Sequence, residues 1–228
     1  MTLQVNDLDR REAAPVAQLA DAGDNLAQLY RSHGKRVLDV ALVLLSLPFV
    51  LPVVAALALL IALDGNNPFY TQNRVGRGGR IFKIYKLRTM VPNAKASLKD
   101  YLAKNSAARA EWEANQKLRN DPRITTLGKI LRNTSMDELP QLLNVLKGDM
   151  SLIGPRPMMI EQMPLYPDRT YYQMRPGVSG LWQVSDRNDT TFAERAVYDA
   201  DYNRRLSLWT DIKIIAKTFA VVLRGTGC

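Results

Sequence analysis

The longest run of apolar residues lies in the N-terminal third of the chain. From Val40 to Leu63 no side chain is charged, and Asp39 and Asp64 bracket the run. As one straight helix, a run of this length would cross a hydrocarbon core of about 30 Å. The pattern therefore predicts a membrane-inserted helix first of all, and a single span is its simplest topology.

Two features of this run favour a re-entrant topology. Pro48 and Pro52 lie near its middle, and each removes a backbone donor and favours a kink. Basic residues flank the run on both sides: Arg31, Lys35 and Arg36 before it, and Arg74, Arg77 and Arg80 after it. Because such residues favour the cytoplasmic side of a membrane, both ends are expected there. We therefore expect a helix-break-helix over residues 34–64 that enters and leaves one leaflet, in preference to a span or a signal peptide.

Outside the apolar run, the pattern predicts one hairpin and several helices. The β-prone stretches Phe69–Asn73 and Ile81–Leu87 surround a glycine-rich turn, which is typical of a β-hairpin. Residues 1–33 lack a strong period, and we expect a mobile extension with a short helix around Pro15–Leu29. Helical patterns follow the hairpin at residues 93–118, Thr126–Asn133, Phe192–Arg205 and Leu208–Leu223. The last of these suits either core packing or a membrane interface.

The composition adds a strongly basic body. The 228 residues are 46% hydrophobic, enough for one sizeable core, and the formal net charge is +9. Residues 1–34 carry more acidic than basic side chains, so the excess positive charge belongs to the rest of the chain. Such a body attracts nucleic acid, phosphorylated small molecules or an acidic membrane surface. The only cysteine, Cys228, excludes an intrachain disulfide and a cysteine-based metal site.

Two adjacent carboxylates mark a candidate site within "TSMDELPQLLNVLKGDMSLIGPRP", residues 134–157. Ser135 and Glu138 fit a capping box at the start of a helix that runs to Gly148, and the helix dipole would favour Asp137 there. A purely structural role is therefore one interpretation of the pair.

The charges around the pair favour a second interpretation. Arg132 precedes it, and Arg156 follows in a loop whose prolines restrict the backbone. Cations near a helix N-terminus can bind phosphate. Carboxylates among such cations are typical of Mg²⁺ sites completed by substrate phosphate, and a carboxylate can also attack phosphorus. Asp137 and Glu138 could thus supply a nucleophile and a metal ligand. The only histidine, His33, lies beside the membrane run, and we assign it no role.

Four segments of the chain together resemble one protein family. They are "KRVLDVALVLL", "FYTQNRVGRGGRIFKIYKLRTM", "LRNTSMDELPQLLNVLKGDMSLIGPRP" and "RPGVSGLWQVSDRND". In this order they resemble the bacterial sugar transferases, the monotopic polyprenyl-phosphate phosphoglycosyl transferases that begin exopolysaccharide, O-antigen and glycoprotein glycan assembly. The resemblance covers about residues 34–224 and is strongest to short members that start exopolysaccharides from a hexose nucleotide.

The resemblance implies transfer of a sugar 1-phosphate from a UDP-sugar to undecaprenyl phosphate, with release of UMP. It implies that Asp137 attacks the diphosphate and forms a phosphosugar-enzyme intermediate, and that Glu138 assists through Mg²⁺ or by positioning. The cations that match the family's motifs, and that we expect to bind phosphate or nucleotide, are Arg132, Arg156, Arg88 and Arg175.

This chain departs from the family pattern at two places. The family's membrane helix is broken at an adjacent Ser-Pro pair, whereas here Leu47 separates Ser46 from Pro48, where we expect the break. Asp186 stands where relatives usually carry Gly. An acidic group at this position could alter a sugar-side or nucleotide-side contact, or only a turn.

We therefore expect an α+β fold that is mainly α, made of the extension 1–33, a re-entrant membrane helix 34–64 and a cytoplasmic catalytic domain 65–228. The domain is expected to have a short β-hairpin and interfacial amphipathic helices, and to lie at the cytoplasmic face of the bacterial inner membrane. Its expected partners are UDP-glucose or UDP-galactose, undecaprenyl phosphate and membrane lipids.

The main alternative to this enzyme is a non-catalytic basic membrane anchor. Nucleic acid is disfavoured as a partner, because no reading element or interleaved exposed aromatics accompany the basic residues. The identity of the sugar and the oligomeric state stay open.

Overall fold

The computed structural model describes residues 27–115, 118–185 and 192–223. Most of the predicted N-terminal extension, Asp186 and Cys228 lie outside these residues. The elements in chain order are a π-helical turn Tyr30–Gly34, helix α1 Lys35–Ala62, strands β1 Phe69–Val75 and β2 Ile81–Leu87, helices α2 Ala94–Lys104, α3 Ser106–Asn115, α4 Thr126–Asn133 and α5 Leu142–Lys147, strands β3 Ser151–Ile153 and β4 Gly177–Ser179, and helices α6 Arg195–Arg205 and α7 Leu208–Leu223. The fold is α+β and mostly helical, as predicted.

Strands β1 and β2 form the predicted hairpin and pair antiparallel along their whole length. Gly78 (φ +67°) and Gly79 (φ +80°) form the turn in the left-handed region that L side chains rarely adopt. Phe82 and Ile84 on β2 point into the core. The short strands β3 and β4 pair in parallel, which no pattern in the sequence predicted.

Both halves of α1 pack against the same body. Val43, in the first half, belongs to a core cluster with Phe82 and Val145. Ala58, in the second half, belongs to another cluster that contains Leu131 of α4. The body therefore lies alongside both halves of the helix.

The other face of α1 is apolar and exposed. Among the described residues, one helix is long and apolar enough to cross a membrane, and it contains α1. Leu45 is 71% exposed and Phe49 is 77% exposed. An apolar surface this large is typical of a membrane contact.

The predicted break in this helix is not present as an interruption of secondary structure. Helix α1 runs continuously through Pro48 and Pro52. The Ser46 hydroxyl donates to the Val43 carbonyl at 2.8 Å. A proline removes one backbone donor, but the hydrogen bonds on either side of it can persist. Two prolines therefore do not end this helix, and the expected pair of separate helices is wrong.

Polar contacts attach both ends of α1 to the body. At the first end, Lys35 Nζ lies 2.7 Å from Asp211 Oδ2 in the first turn of α7. At the second end, Arg88 Nη2 donates to the Ile61 carbonyl at 3.2 Å and lies 2.7 Å from Asp64 Oδ1. Both ends of the apolar helix are thus held by one folded unit.

The remaining helices match the predictions in part. Helices α4 and α7 have the predicted bounds. The single helix predicted over residues 93–118 is divided into α2 and α3, because Asn105 is extended (φ −133°, ψ 100°). Its side chain accepts a hydrogen bond from the Ala108 backbone at 3.0 Å and so caps α3. Helix α6 begins at Arg195, three residues later than predicted.

Asp211 provides a test of how α1 is anchored. Its side chain is 1% exposed and accepts hydrogen bonds from Tyr30 and Tyr202, both at 2.6 Å, besides its ion pair with Lys35. Asp211→Ala would leave a largely buried ammonium and two hydroxyls without their acceptor. We expect the free energy of unfolding to fall by about 3–5 kcal/mol. The change would be observed as a lower Tm of the detergent-solubilised protein.

Asp201→Ala is the matched control, because it removes a partly exposed carboxylate. Among the described residues, Asp201 forms ion pairs with the exposed side chains of Arg204 and Arg205. For this variant the free energy of unfolding is expected to fall by less than about 1 kcal/mol. Equal changes in Tm for the two variants would contradict the anchoring role of Asp211.

Candidate active site

The carboxylate pair lies on a 3₁₀ helix, Met136–Gln141, between α4 and α5. Ser135, just before it, has φ +56° and makes no capping hydrogen bond with its side chain. The predicted capping box is therefore wrong, because an N-cap residue has an extended backbone and Ser135 is left-handed. The Glu138 carboxylate forms ion pairs instead of a cap.

Glu138 forms the central ion pairs of the site. Its Oε1 accepts a hydrogen bond from Lys86 Nζ at 2.6 Å and lies 3.5 Å from Arg156 Nη2. Its side chain is only 17% exposed. Burial alone would raise the pKa of Glu138, but Lys86 and Arg156 outweigh burial and lower the pKa to about 2. Glu138 is therefore ionised at neutral pH and joined to both cations.

Asp137 lies in a different environment from its neighbour. It is 7% exposed, and its carboxylate accepts no hydrogen bond from the described residues. Burial raises the pKa of Asp137, the Glu138 charge adds to this shift, and Lys86, Arg132 and Arg156 oppose it. The result is a buried carboxylate that lies close to cations and accepts no hydrogen bond from the part of the chain that the structure describes.

Arg132 approaches Asp137 from the last turn of α4. Its Nε donates to the Thr89 hydroxyl at 2.9 Å, which fixes the guanidinium against the end of the hairpin. Burial lowers the pKa of Arg132, whereas the charges of Asp137 and Asp121 raise it. An arginine stays protonated in this setting, so Arg132 supplies a fixed positive charge beside Asp137.

The loop after β3 presents Arg156 from a backbone whose carbonyl groups are hydrogen-bonded. Its four successive carbonyl groups each accept one hydrogen bond: Pro155 from Gly177 N at 2.8 Å, Arg156 from Arg195 Nη2 at 3.2 Å, Pro157 from Arg74 Nη1 at 3.1 Å and Met158 from Val75 N at 3.1 Å. The backbone of this loop is therefore fixed, and the Arg156 side chain projects from it toward Glu138.

Glu138 and Arg156 line a small cleft that we call the cationic cleft. Its polar lining residues are Arg74, Lys86, Glu138, Gln141 and Arg156. Three cations face one carboxylate, so the cleft favours an anion. Asp137 neighbours the cleft, because it adjoins the lining residue Glu138 on the same 3₁₀ helix.

Sequence reasoning missed three of the cleft residues, namely Arg74, Lys86 and Gln141. One signal could have identified Lys86. Alternation along β2 places it on the same face as the buried residues Phe82 and Ile84. A lysine at such a position needs an acidic partner, because an unpaired buried charge is costly.

Two predicted motif cations lie away from the cationic cleft. Arg88 binds the loop after α1, as described above, and also donates to the Asn67 carbonyl at 2.8 Å. Arg175 donates from Nε to the Gly148 carbonyl at 2.9 Å, at the end of α5. Both side chains therefore tie structural elements together, and neither is a lining residue of the cleft.

The donor set is compatible with a divalent cation that is shared with substrate. The described residues contain no cluster of three or more potential metal ligands. Within the described ranges no group donates to the Asp137 carboxylate, whereas Oε1 of Glu138 accepts from Lys86. Mg²⁺ commonly uses one or two carboxylates and completes its shell with phosphate oxygens and water. The pair fits an ion of that kind and does not form a cage of protein ligands.

Comparison with known proteins gives consistent matches over most of the chain. An undecaprenyl-phosphate galactose phosphotransferase of Salmonella typhimurium is 47% identical over 206 residues, which are 90% of this chain and 43% of that protein. The exopolysaccharide production protein ExoY of Sinorhizobium fredii is 40% identical over 196 residues, 85% of this chain and 87% of that protein. A UDP-glucose:undecaprenyl-phosphate glucose-1-phosphate transferase of Caulobacter vibrioides is 39% identical over 200 residues, 83% of this chain and 69% of that protein.

The chain therefore spans less than half the length of the Salmonella relative and most of the length of ExoY. A family described as bacterial sugar transferase matches residues 30–225, a range that contains α1, the hairpin and the cationic cleft. The chain belongs to the bacterial sugar transferase family.

Proposed function

We propose that the protein transfers a sugar 1-phosphate from a UDP-sugar to undecaprenyl phosphate and releases UMP, as the first membrane step of exopolysaccharide synthesis. The observation that carries the proposal is Asp137, a buried carboxylate that receives no hydrogen bond from the described residues and lies beside a cleft of three cations. The names of the relatives support the substrate class, and they include both galactose and glucose. UDP-glucose and UDP-galactose are therefore the donors to test first.

In the first step, an Asp137 oxygen attacks the phosphorus that bears the sugar. A bond forms between this oxygen and phosphorus, and the bond from phosphorus to the UMP oxygen breaks, so UMP leaves with the electron pair. In the second step, an oxygen of undecaprenyl phosphate attacks the same phosphorus and displaces Asp137. Covalent transfer in two steps allows donor and acceptor to use one nucleophile in turn.

The surrounding charges hold the phosphates during both steps. Lys86 and Arg156 are kept in place by Glu138 and face the cleft, and Arg132 adds a positive charge at Asp137. Charges that are already in position stabilise the developing charge without reorganisation. Mg²⁺ bound by Asp137 or Glu138 together with substrate phosphate would neutralise further negative charge.

The membrane topology that fits this reaction is re-entrant and monotopic at the cytoplasmic face. Both ends of α1 bind the same body, which supports entry and exit through one leaflet. The continuous helix must then bend, and Pro48 and Pro52 lie where a bend is needed. Such a topology holds the cationic cleft near the lipid headgroups, where a soluble UDP-sugar and a lipid phosphate can both reach Asp137.

A non-catalytic membrane anchor is less well supported. That alternative assigned the carboxylate pair a capping role, and the pair makes no side-chain cap. The buried ion pairs of Glu138 and the free carboxylate of Asp137 then have no function in a simple anchor.

Replacement of the nucleophile tests the proposed chemistry. Asp137→Asn keeps the size of the side chain but replaces the charged, nucleophilic carboxylate by a neutral amide, so the rate should fall by at least about a thousandfold. The assay follows UMP and labelled lipid from radiolabelled UDP-glucose or UDP-galactose with undecaprenyl phosphate and Mg²⁺. Asp100→Asn, on the exposed face of α2, is the control and should retain full activity. Activity of Asp137→Asn within tenfold of wild type would exclude Asp137 as nucleophile.

The pH dependence of kcat/KM tests the role of Lys86. Asp137 must be ionised to attack, so activity is lost as pH falls through its pKa. Lys86 opposes the burial that raises this pKa, and Lys86→Met should raise the pKa further. The acid limb of the profile should therefore move to higher pH. Lys83→Met, an exposed lysine on the same strand, should leave the limb in place, and an unmoved limb in both variants would contradict the assignment.

Cysteine labelling tests the topology. After Cys228→Ser, single cysteines replace Ser32 or Asn66, two exposed residues before and after α1. In inside-out membrane vesicles, a membrane-impermeant maleimide should label both positions. Labelling of only one of them from each side of the membrane would establish a span instead.

A further inference from the structure

Gln141 is a buried side chain with an unused donor. It is the last residue of the 3₁₀ helix that carries the carboxylate pair, and it is 2% exposed. Its Nε2 is buried and has no hydrogen-bond partner among the described residues. Buried polar groups in native proteins almost always have partners, and one that lacks a partner is destabilising. We therefore expect the protein to have a bound state in which an acceptor atom contacts Nε2 and satisfies this donor.

Asn144, one turn further along, is a buried amide that has hydrogen-bond partners, as is usual. It is fully buried, and its amide is satisfied on both sides by the backbone of β2. Its Nδ2 donates to the Lys83 carbonyl at 2.7 Å, and its Oδ1 accepts from the Tyr85 backbone at 3.1 Å. This amide holds α5 against the hairpin. The Nε2 of Gln141 has no comparable contact in the part of the chain that the structure describes.

The position of Gln141 identifies the missing acceptor. Gln141 lines the cationic cleft with Arg74, Lys86, Glu138 and Arg156. The three cations favour an anionic occupant, and an amide N–H needs an acceptor oxygen. A phosphate oxygen meets both requirements, and it forms a stronger hydrogen bond than a neutral oxygen does.

We propose that Gln141 Nε2 donates a hydrogen bond to a non-bridging oxygen of the phosphate group that occupies the cationic cleft. Given the proposed function, on which this identification of the substrate rests, that group is the reacting phosphate of the UDP-sugar. Gln141 is then a binding residue for the group under attack by Asp137. It was not among the residues expected from the sequence motifs.

The proposal predicts that the Gln141 amide contributes to activity but does not stabilise the unliganded protein. Gln141→Met has nearly the same length and removes the donor, so Tm should be unchanged or higher. Asn144→Leu removes satisfied hydrogen bonds and should lower Tm. For Gln141→Met, kcat/KM with UDP-glucose or UDP-galactose should fall about 10- to 100-fold, as for loss of a hydrogen bond to a charged group.

Inorganic pyrophosphate provides a readout that does not depend on turnover. It should raise the Tm of the wild type by occupying the cationic cleft, and it should do so less for Gln141→Met. If the wild type transfers no sugar phosphate but this difference remains, the proposed function fails and the phosphate contact of Gln141 stands.

Three results would overturn the proposal. The first is a wild-type kcat/KM in active Gln141→Met protein. The second is equal protection of wild type and Gln141→Met by pyrophosphate, or no protection of either. The third is a drop in Tm for Gln141→Met as large as that for Asn144→Leu, which would assign the amide a structural role, including one through a buried water molecule.

Discussion

The arrangement of the site depends on the ion pairs that the Glu138 carboxylate forms. Arg74, Lys86 and Arg156 come from β1, β2 and the loop after β3, and they line one small cleft. Like charges this close repel, and buried charges persist only when they are paired. Glu138 is the single carboxylate that lines the cleft, and its pairs with Lys86 and Arg156 join three distant parts of the chain.

Two neighbouring carboxylates thus have opposite properties because their environments differ. Ion pairs lower the pKa of Glu138 to about 2, whereas burial raises the pKa of Asp137. The 3₁₀ helix contributes to this difference, because its three residues per turn direct successive side chains about 120° apart. Glu138 then binds the cations, while the Asp137 carboxylate accepts no hydrogen bond from the described residues.

The membrane helix and the site are parts of one structure. Val43 of α1 packs in the same cluster as Phe82 and Ile84 of β2, the strand that carries Lys86. Asp211 and Arg88 hold the two ends of the helix to the body. Because side chains in a core are closely packed, the position of α1 is coupled to the position of the cationic cleft.

Local sequence determined much of this protein. The alternating pattern of the hairpin and the periodic patterns of α4 and α7 each predicted the element that formed, and the uncharged run of α1 predicted a helix but not its continuity through the two prolines. These signals are local, because hydrophobic period and turn residues act over a few positions. The order of the motifs was likewise sufficient to recognise the family. The site that the motifs predict at Asp137, Glu138, Arg132 and Arg156 stays a prediction.

Tertiary structure decided what the local signals could not. A capping box at Ser135 was consistent with the sequence, but the left-handed backbone there and the approach of Lys86 give Glu138 ion pairs instead. Arg88 has the same motif spacing whether it binds phosphate or the loop after α1, and only packing places it at the loop. The reason is physical: hydrogen bonds and ion pairs between distant segments depend on distances that no spacing along the chain specifies.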